Sequence, residues 1–225
     1  MRTLMRRYYP AAAEVWVPCV ADAEAVRDLV PSANVLVVPN VVDMGAVPLA
    51  PTVRGAKNAL FVGNLTLPPN EYAVRELGET IMPLMRGAIP DLQLQIVGRG
   101  LETGLPGSPG VVHVGEVDSL TPYYFGARVA IVPVRAGVGP KLKVIEALAR
   151  GVPVVATPKA ISSITLRPGR DVLVGESASD LADLAIQVLT NDGLADSLAA
   201  AGRAAVEAAC GLGALEAAID QSSIL

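Results

Sequence analysis

Aromatic side chains are scarce in this chain: they make up 4% of its 225 residues, whereas hydrophobic residues as a whole reach 52%. A chain of that length can bury one good-sized core, and here it must be built mostly from alanine, valine and leucine. Cysteine is nearly absent. Cys19 and Cys210 lie far apart, and neither belongs to a pair with metal-ligand spacing or to a short disulfide framework. With His113 as the lone histidine, no His/Cys/Asp ligand cluster is visible, and neither a metal nor a cofactor is expected. Positive charge is also in short supply. The net charge is -4, the pI is near 5.1 and no basic face is concentrated anywhere, which argues against nucleic acid as a partner. Long apolar runs are missing too. Residues 1–10 hold Arg2, Arg6 and Arg7 but no apolar stretch long enough for a signal peptide, and no segment is expected to reach membrane-spanning length. A cytoplasmic protein is expected, with peripheral membrane contact left open.

What is present is a regular alternation of short apolar runs and helical periodicity. Residues 14–20 read as a strand, 22–29 as a helix and 34–38 as a second strand, one β-α-β step. A stiff, proline-marked connection follows around Pro48 and Pro51, and we place a boundary there, with a linker over residues 46–57 between a first unit (1–45) and a second (58–225). In the second unit, strands are expected at 58–62, 92–97, 111–114, 129–132, 152–156 and 172–174. Helices are expected at 70–86, near 120–126, in the segment holding Glu146, and over the alanine-rich 179–209. Such alternation implies an α/β fold with a Rossmann-like parallel sheet and helices on both faces. Ligands in these sheets bind outside the carboxyl ends of the strands, where the loops at Gly63, Gly98 and Gly137 would gather.

The most informative segment is Gly137-Val-Gly-Pro-Lys-Leu-Lys-Val-Ile-Glu-Ala-Leu-Ala-Arg-Gly-Val-Pro-Val-Val-Ala-Thr157. It reads as a glycine loop, a short helix opened by Pro140 and stopped by Gly151, and a buried strand. Lys141 and Lys143 then fall in the first helical turn, where the dipole disfavours each exposed cation by about 0.3 to 1 kcal/mol. A phosphate or diphosphate on the loop would reverse that penalty by meeting the backbone amides and both ammonium groups together. Glu146 projects from the same side as Lys143, while Leu142, Ile145, Leu148 and Ala149 can turn toward a core. A carboxylate suits vicinal hydroxyls such as those of a ribose, because it only accepts hydrogen bonds. Cations for phosphate and an acceptor for ribose together describe a nucleotide.

At these residues the chain resembles the nucleotide-sugar glycosyltransferases with two Rossmann-like halves, the GT-B fold, in the group 1, family 4-like branch. The resemblance covers the donor-binding carboxyl-terminal half. It extends collinearly through Val38-Pro-Asn-Val-Val-Asp43, Leu60-Phe-Val-Gly-Asn64 with Pro68-Pro-Asn70, Ile96-Val-Gly-Arg99 and Val114-Gly-Glu-Val-Asp118. It implies that Glu146 binds the donor ribose and that Lys141 and Lys143 lie beside the diphosphate. Gly63, Asn64, Gly98, Gly137, Val138 and Gly139 would complete the donor site. Two departures stand out. Many relatives carry a glutamate beside the transferred sugar where this chain has Val138. The loop after the first strand of the half often supplies Arg and Lys to the phosphates but here reads Gly63-Asn64-Leu65-Thr66-Leu67-Pro68-Pro69-Asn70. A subgroup with a Pro-Pro-Asn loop looks closest, and in it the basic pair sits on the glycine loop.

The resemblance further implies that residues 1–45 are a remnant of an acceptor domain, so the chain is expected to be a truncated or split transferase. The expected function is transfer of a hexosyl unit, with retention, from a UDP-, GDP- or ADP-sugar to a sugar or lipid-linked acceptor. The alternative is a non-catalytic nucleotide-sugar-binding module that needs a separate acceptor-domain chain. A general α/β domain without nucleotide affinity trails both, since no acidic cluster marks the strand ends. No general base is assigned. His113 reads as a packed or surface residue of a strand, Glu116 and Asp118 as a solvated turn and helix cap, and Arg86, Arg128 and Arg135 as surface charges. Ser162 and Ser163 fall where relatives place a loop near the donor phosphates.

Overall fold

The computed structural model describes residues 2–51, 55–100, 108–137 and 139–224. In chain order it comprises α1 (Arg2–Tyr8), β1 (Val15–Val17), α2 (Val20–Leu29), β2 (Val35–Val37), β3 (Asn58–Val62), α3 (Pro68–Glu76), α4 (Met82–Ala88), β4 (Gln93–Val97) and β5 (Val111–Gly115). It continues with α5 (Thr121–Gly126), β6 (Val129–Val132), α6 (Leu142–Ala149), β7 (Val154–Ala156), α7 (Pro158–Ile161), β8 (Leu173–Val174), α8 (Ala178–Thr190), α9 (Asp192–Cys210) and α10 (Leu212–Ile219).

The main sheet is six-stranded and parallel, in the order β5-β4-β3-β6-β7-β8. Counted within that sheet, this is the doubly wound 3-2-1-4-5-6 arrangement, and the α/β Rossmann-like expectation holds. Strands covered on both faces must be apolar along their whole length rather than alternating. All residues of β6 and β7 are buried, as are Ala59, Leu60 and Phe61 of β3. The edge strand β5 is mixed, with Val112 and His113 exposed. The winding reverses between β3 and β6, and that is where such a sheet leaves a crevice at its carboxyl edge.

Several elements depart from the sequence expectation. The single helix foreseen over 70–86 is α3 and α4 joined by a π turn at Leu77–Ile81. Pro83 has no N–H to donate back, and the ladder slips by one residue just ahead of it. Leu142, expected to face the core, is 52% exposed, whereas Val144, Ile145, Ala147, Leu148 and Ala149 are buried. Arg128 is not a surface charge. It is 4% exposed at the foot of β6, held by the carboxylate of Asp192 at the start of α9, with Asp196 3.8 Å away. Arg135 is exposed, as a surface charge should be, and pairs with Glu76, whereas Arg86 is partly buried and donates to the carbonyl of Leu92. By length and composition, the stretch Asp192–Ile219 is apolar enough to cross a membrane, contrary to the expectation that no segment would be. Its stripe of Ala195, Leu198, Gly202, Val206 and Cys210 is buried, with Gly202 so close to α6 that a Cβ there would lie 2.6 Å from Leu148.

β1 and β2 form a separate parallel pair, with Ala23 and Val26 of α2 packed against Val15, Val17 and Val35 in a core of their own. This unit is fastened to the larger one at several points. The N–H of Val42 donates to the carbonyl of Cys210 at 2.7 Å, and Arg203 of α9 donates to the carbonyl of Met44 at 3.2 Å. Beyond α10, the hydroxyl of Ser222 donates to Glu14 at 2.8 Å, and the N–H of Ser223 reaches the other oxygen of that carboxylate at 3.2 Å.

Candidate nucleotide site

The loops that leave β3 and β4 are pressed together at the carboxyl edge of the sheet. Gly98 adopts a φ of +137°, and a Cβ on it would stand 1.9 Å from the carbonyl oxygen of Gly63, so the close approach needs glycine there. The backbones interlock on either side of this contact: Gly63 donates to Val97 at 2.9 Å and Leu65 donates to Arg99 at 2.8 Å. The side chain of Asn64 is committed to its own turn, accepting from the N–H of Thr66 at 3.1 Å and from its hydroxyl at 2.7 Å.

Beyond β6 the chain passes Gly137 and Gly139, both with positive φ, and enters α6. Val138, assigned to the donor site from the sequence, lies outside the described residues. The helix begins at Leu142, two residues later than Pro140 would have it, with Lys141 as its N-cap and no side chain capping the end. Its first turn holds no acidic residue. Lys141 donates to the carbonyl of Gly139 at 3.0 Å, and burial together with Lys159 lowers its pKa, opposed by Asp22 of α2. Lys143 donates to Oδ1 of Asn70 at 2.5 Å and stands 4.3 Å from the ring centre of Phe61. Burial, reinforced by Lys141 and opposed by Glu146, brings the Lys143 ammonium down to about 7. Two cations are thus held close together where solvent screens them poorly, and an anion would relieve both effects.

Glu146 lies one turn further along α6. The buried phenol of Tyr124 donates to its Oε2 at 3.2 Å, and burial and the carboxylate both push that phenol's pKa up. Arg150 donates to the carbonyl of Glu146 at 3.0 Å and stacks 4.7 Å over the Tyr124 ring. The carboxylate is therefore held by a side chain of the core, and Glu146 lines the crevice.

A cavity of about 670 Å³ opens at the reversal point between β3 and β6, lined by Gly63, Gly98, Gly137, Lys141, Lys143 and Glu146. That volume lies within the roughly 300 to 1,000 Å³ typical of small-molecule sites. Asn64 also lines it, whereas Gly139 does not and instead accepts from Lys141 and from the Ser163 hydroxyl. The structure adds residues that the sequence reading did not select: Asn70, Arg99, Val117 and Leu120 line the cavity, and Tyr124 supports Glu146 from beneath. Asn70 had a legible signal, since it follows two prolines at the third position of a helix. The exposed Glu116 also lines the cavity, and Asp118 caps nothing, because the N-cap of α5 is Leu120. His113 sits on the edge strand away from the cavity, with its pKa lowered by partial desolvation against the strand. Among the described residues, no group of three or more His, Cys, Asp or Glu could hold a metal ion.

Solved structures share this fold at low sequence identity. HepE of Anabaena in complex with UDP and glucose has a TM-score of 0.78 at 14% identity, over 98% of this chain and 66% of that one. The sucrose-phosphate synthase of Thermosynechococcus elongatus has a TM-score of 0.77 at 21% identity, over 98% of this chain and 60% of the other. A TarM variant of S. aureus, in complex with fondaparinux, alpha-GlcNAc-glycerol and UDP, has a TM-score of 0.77 at 16% identity, over 97% of this chain and 44% of its own length. This chain thus spans less than two thirds of the length of these structures. No curated protein matches it in sequence. The family model for glycosyl transferases group 1 matches residues 56–191, more than half of the chain.

Proposed function

This chain belongs to the group 1 glycosyl transferases and has the fold of one GT-B half, and we propose that its crevice binds the nucleoside diphosphate part of a sugar donor whose hexosyl unit is then passed to a sugar or lipid-linked acceptor. One observation carries this reading: Lys141, Lys143 and Glu146 converge on a single cavity at the point where the winding of the sheet reverses. The ammonium groups and the glycine loop meet the diphosphate, and Glu146 accepts from the ribose hydroxyls. When the bond between the sugar carbon and the diphosphate oxygen breaks, that oxygen gains charge. Lys141 and Lys143 offset the charge in a place poor in solvent, where such electrostatic help is strongest. The acceptor oxygen forms the new bond to the sugar carbon and gives up its proton; retention of configuration is the expectation carried over from the family resemblance. UDP is the first nucleotide to try, because HepE and the TarM variant are seen with it.

Calorimetric titration of UDP, GDP and ADP tests the site. At least one should bind, and Lys143→Ala and Glu146→Ala should each weaken it about tenfold or more, a loss of roughly 1.4 kcal/mol. Equal affinity in all three proteins would remove the assignment. A second reading is a nucleotide-sugar-binding module that acts with an acceptor-binding part supplied by another chain. Donor hydrolysis or transfer by the isolated chain separates the two, since only an enzyme turns the donor over.

A further inference from the structure

Asn70 occupies the third position of α3, after Pro68 and Pro69, on the cavity wall opposite α6. Its side-chain amide is engaged at both ends. Nδ2 donates to the carbonyl of Asn64 at 2.7 Å, and Oδ1 accepts from Lys143 Nζ at 2.5 Å. The reverse orientation would set an NH2 group against an ammonium and an oxygen against a carbonyl, so a single orientation satisfies both partners. Lys143 is hemmed in further by Phe61, 4.3 Å from Nζ to the ring centre, and by Gly63, where a Cβ would lie 2.8 Å from Nζ. Among the described residues, the oxygen that accepts from that ammonium belongs to a neutral group, although buried charges are more usually paired with an opposite charge.

We propose that Asn70 is a positioning residue that ties the loop after β3 to the cation of α6 through a neutral oxygen, so that Lys143 is aimed at the diphosphate with its charge uncompensated. The inference rests on the donor reading given above and adds a residue to it. A carboxylate at this place would hold Lys143 equally well and would then repel the ligand it is meant to attract. An apolar side chain would leave the ammonium without its fixed acceptor. The charged groups facing Lys143 are Lys141 at the N-cap of α6 and Glu146 within it, with Arg99 and Glu116 on the same cavity from the loops after β4 and β5. Burial brings the Lys143 ammonium down to about 7. A bound diphosphate favours the ammonium, so affinity is full below that pH and falls as pH rises through it. The terminal phosphate of UDP, with its second pKa at about 6, is already ionised over most of that range.

The test is UDP binding between pH 6.5 and 9 to the wild type, Asn70→Asp, Asn70→Leu and Lys143→Ala, with thermal unfolding of each protein measured alongside. Asn70→Asp should bind about tenfold more weakly at pH 7, and its loss of affinity should move to higher pH, because a carboxylate raises the Lys143 midpoint. Asn70→Leu should move that loss to lower pH, because the charged form has lost its acceptor. A merely structural role would move neither midpoint in these opposite directions. If Asn70→Leu fails to fold, the near-isosteric Asn70→Asp carries the test alone. Wild-type affinity and pH profile in the Asn70 variants, alongside weakened binding in Lys143→Ala, would overturn this inference and leave the donor site standing. Unchanged binding in Lys143→Ala would overturn both.

Discussion

At the scale of single residues, the site combines two cations that donate to neutral oxygens with one carboxylate that a core side chain supports. Glu146 is the supported one. The Tyr124 hydroxyl that reaches it belongs to a side chain only 1% exposed, so its geometry is fixed by the core. Tyr124→Phe should weaken UDP binding about threefold to tenfold, the worth of one hydrogen bond of roughly 0.5 to 1.5 kcal/mol. Inorganic pyrophosphate, which has no ribose for Glu146 to contact, should bind the variant as it binds the wild type; competition between the two ligands measures both. Lys141, Lys143 and Glu146 were legible in the sequence because their spacing on a short helix after a glycine loop is local. Tyr124 was not, since its meeting with Glu146 spans 22 positions and depends on how α5 packs beneath α6. Arg128 failed for the same reason. An arginine beside an apolar strand reads as a flanking charge, and only the docking of α9 supplies the carboxylates that let it be buried.

At the scale of elements, strands were easier to read than helix ends. β6 and β7 are continuous apolar runs and β3 is apolar after Asn58, with Gly63, Pro133 and Pro153 each marking one end, a pattern that few other structures satisfy. The start of α6 was misplaced because Pro140 suits a first helical position, yet the backbone of Lys141 stays non-helical at φ -91° and ψ 87°. The reading of the α3–α4 segment lacked the π turn because the hydrophobic period continues through it. The contact between Arg128 and Asp192 locks the start of α9 to the foot of the sheet. Asp192→Ala should leave a buried guanidinium facing the more distant carboxylate of Asp196. Because Asp192 is itself half exposed, the cost should be about 1 to 3 kcal/mol rather than the full penalty of an orphaned buried ion. That corresponds to a drop of roughly 2 to 4 °C in melting temperature per kcal/mol, measurable by calorimetry, with UDP affinity unchanged. An unchanged melting temperature would mean that the ion pair contributes nothing to holding α9.

At the scale of the whole molecule, the parallel sheet with helices on both faces followed from alternation alone, since parallel strands need helical crossovers that cover the sheet. The placement of the amino-terminal unit did not, because it depends on contacts between residues 14 and 222 or 42 and 210, which no local pattern encodes. Removing residues 222–225 should release the attachment at Glu14 while leaving the six-stranded sheet intact. Limited proteolysis should then cut within residues 1–45 faster than in the full chain, and equal cleavage rates would show that Val42 and Met44 hold the unit unaided.

The carboxylate of Glu14 that receives Ser222 and Ser223 also receives the indole N–H of Trp16, the one tryptophan in the chain. The protein therefore carries its own optical gauge. When the tail lets go, the polarity around that indole changes, and its fluorescence reports the event without any added label.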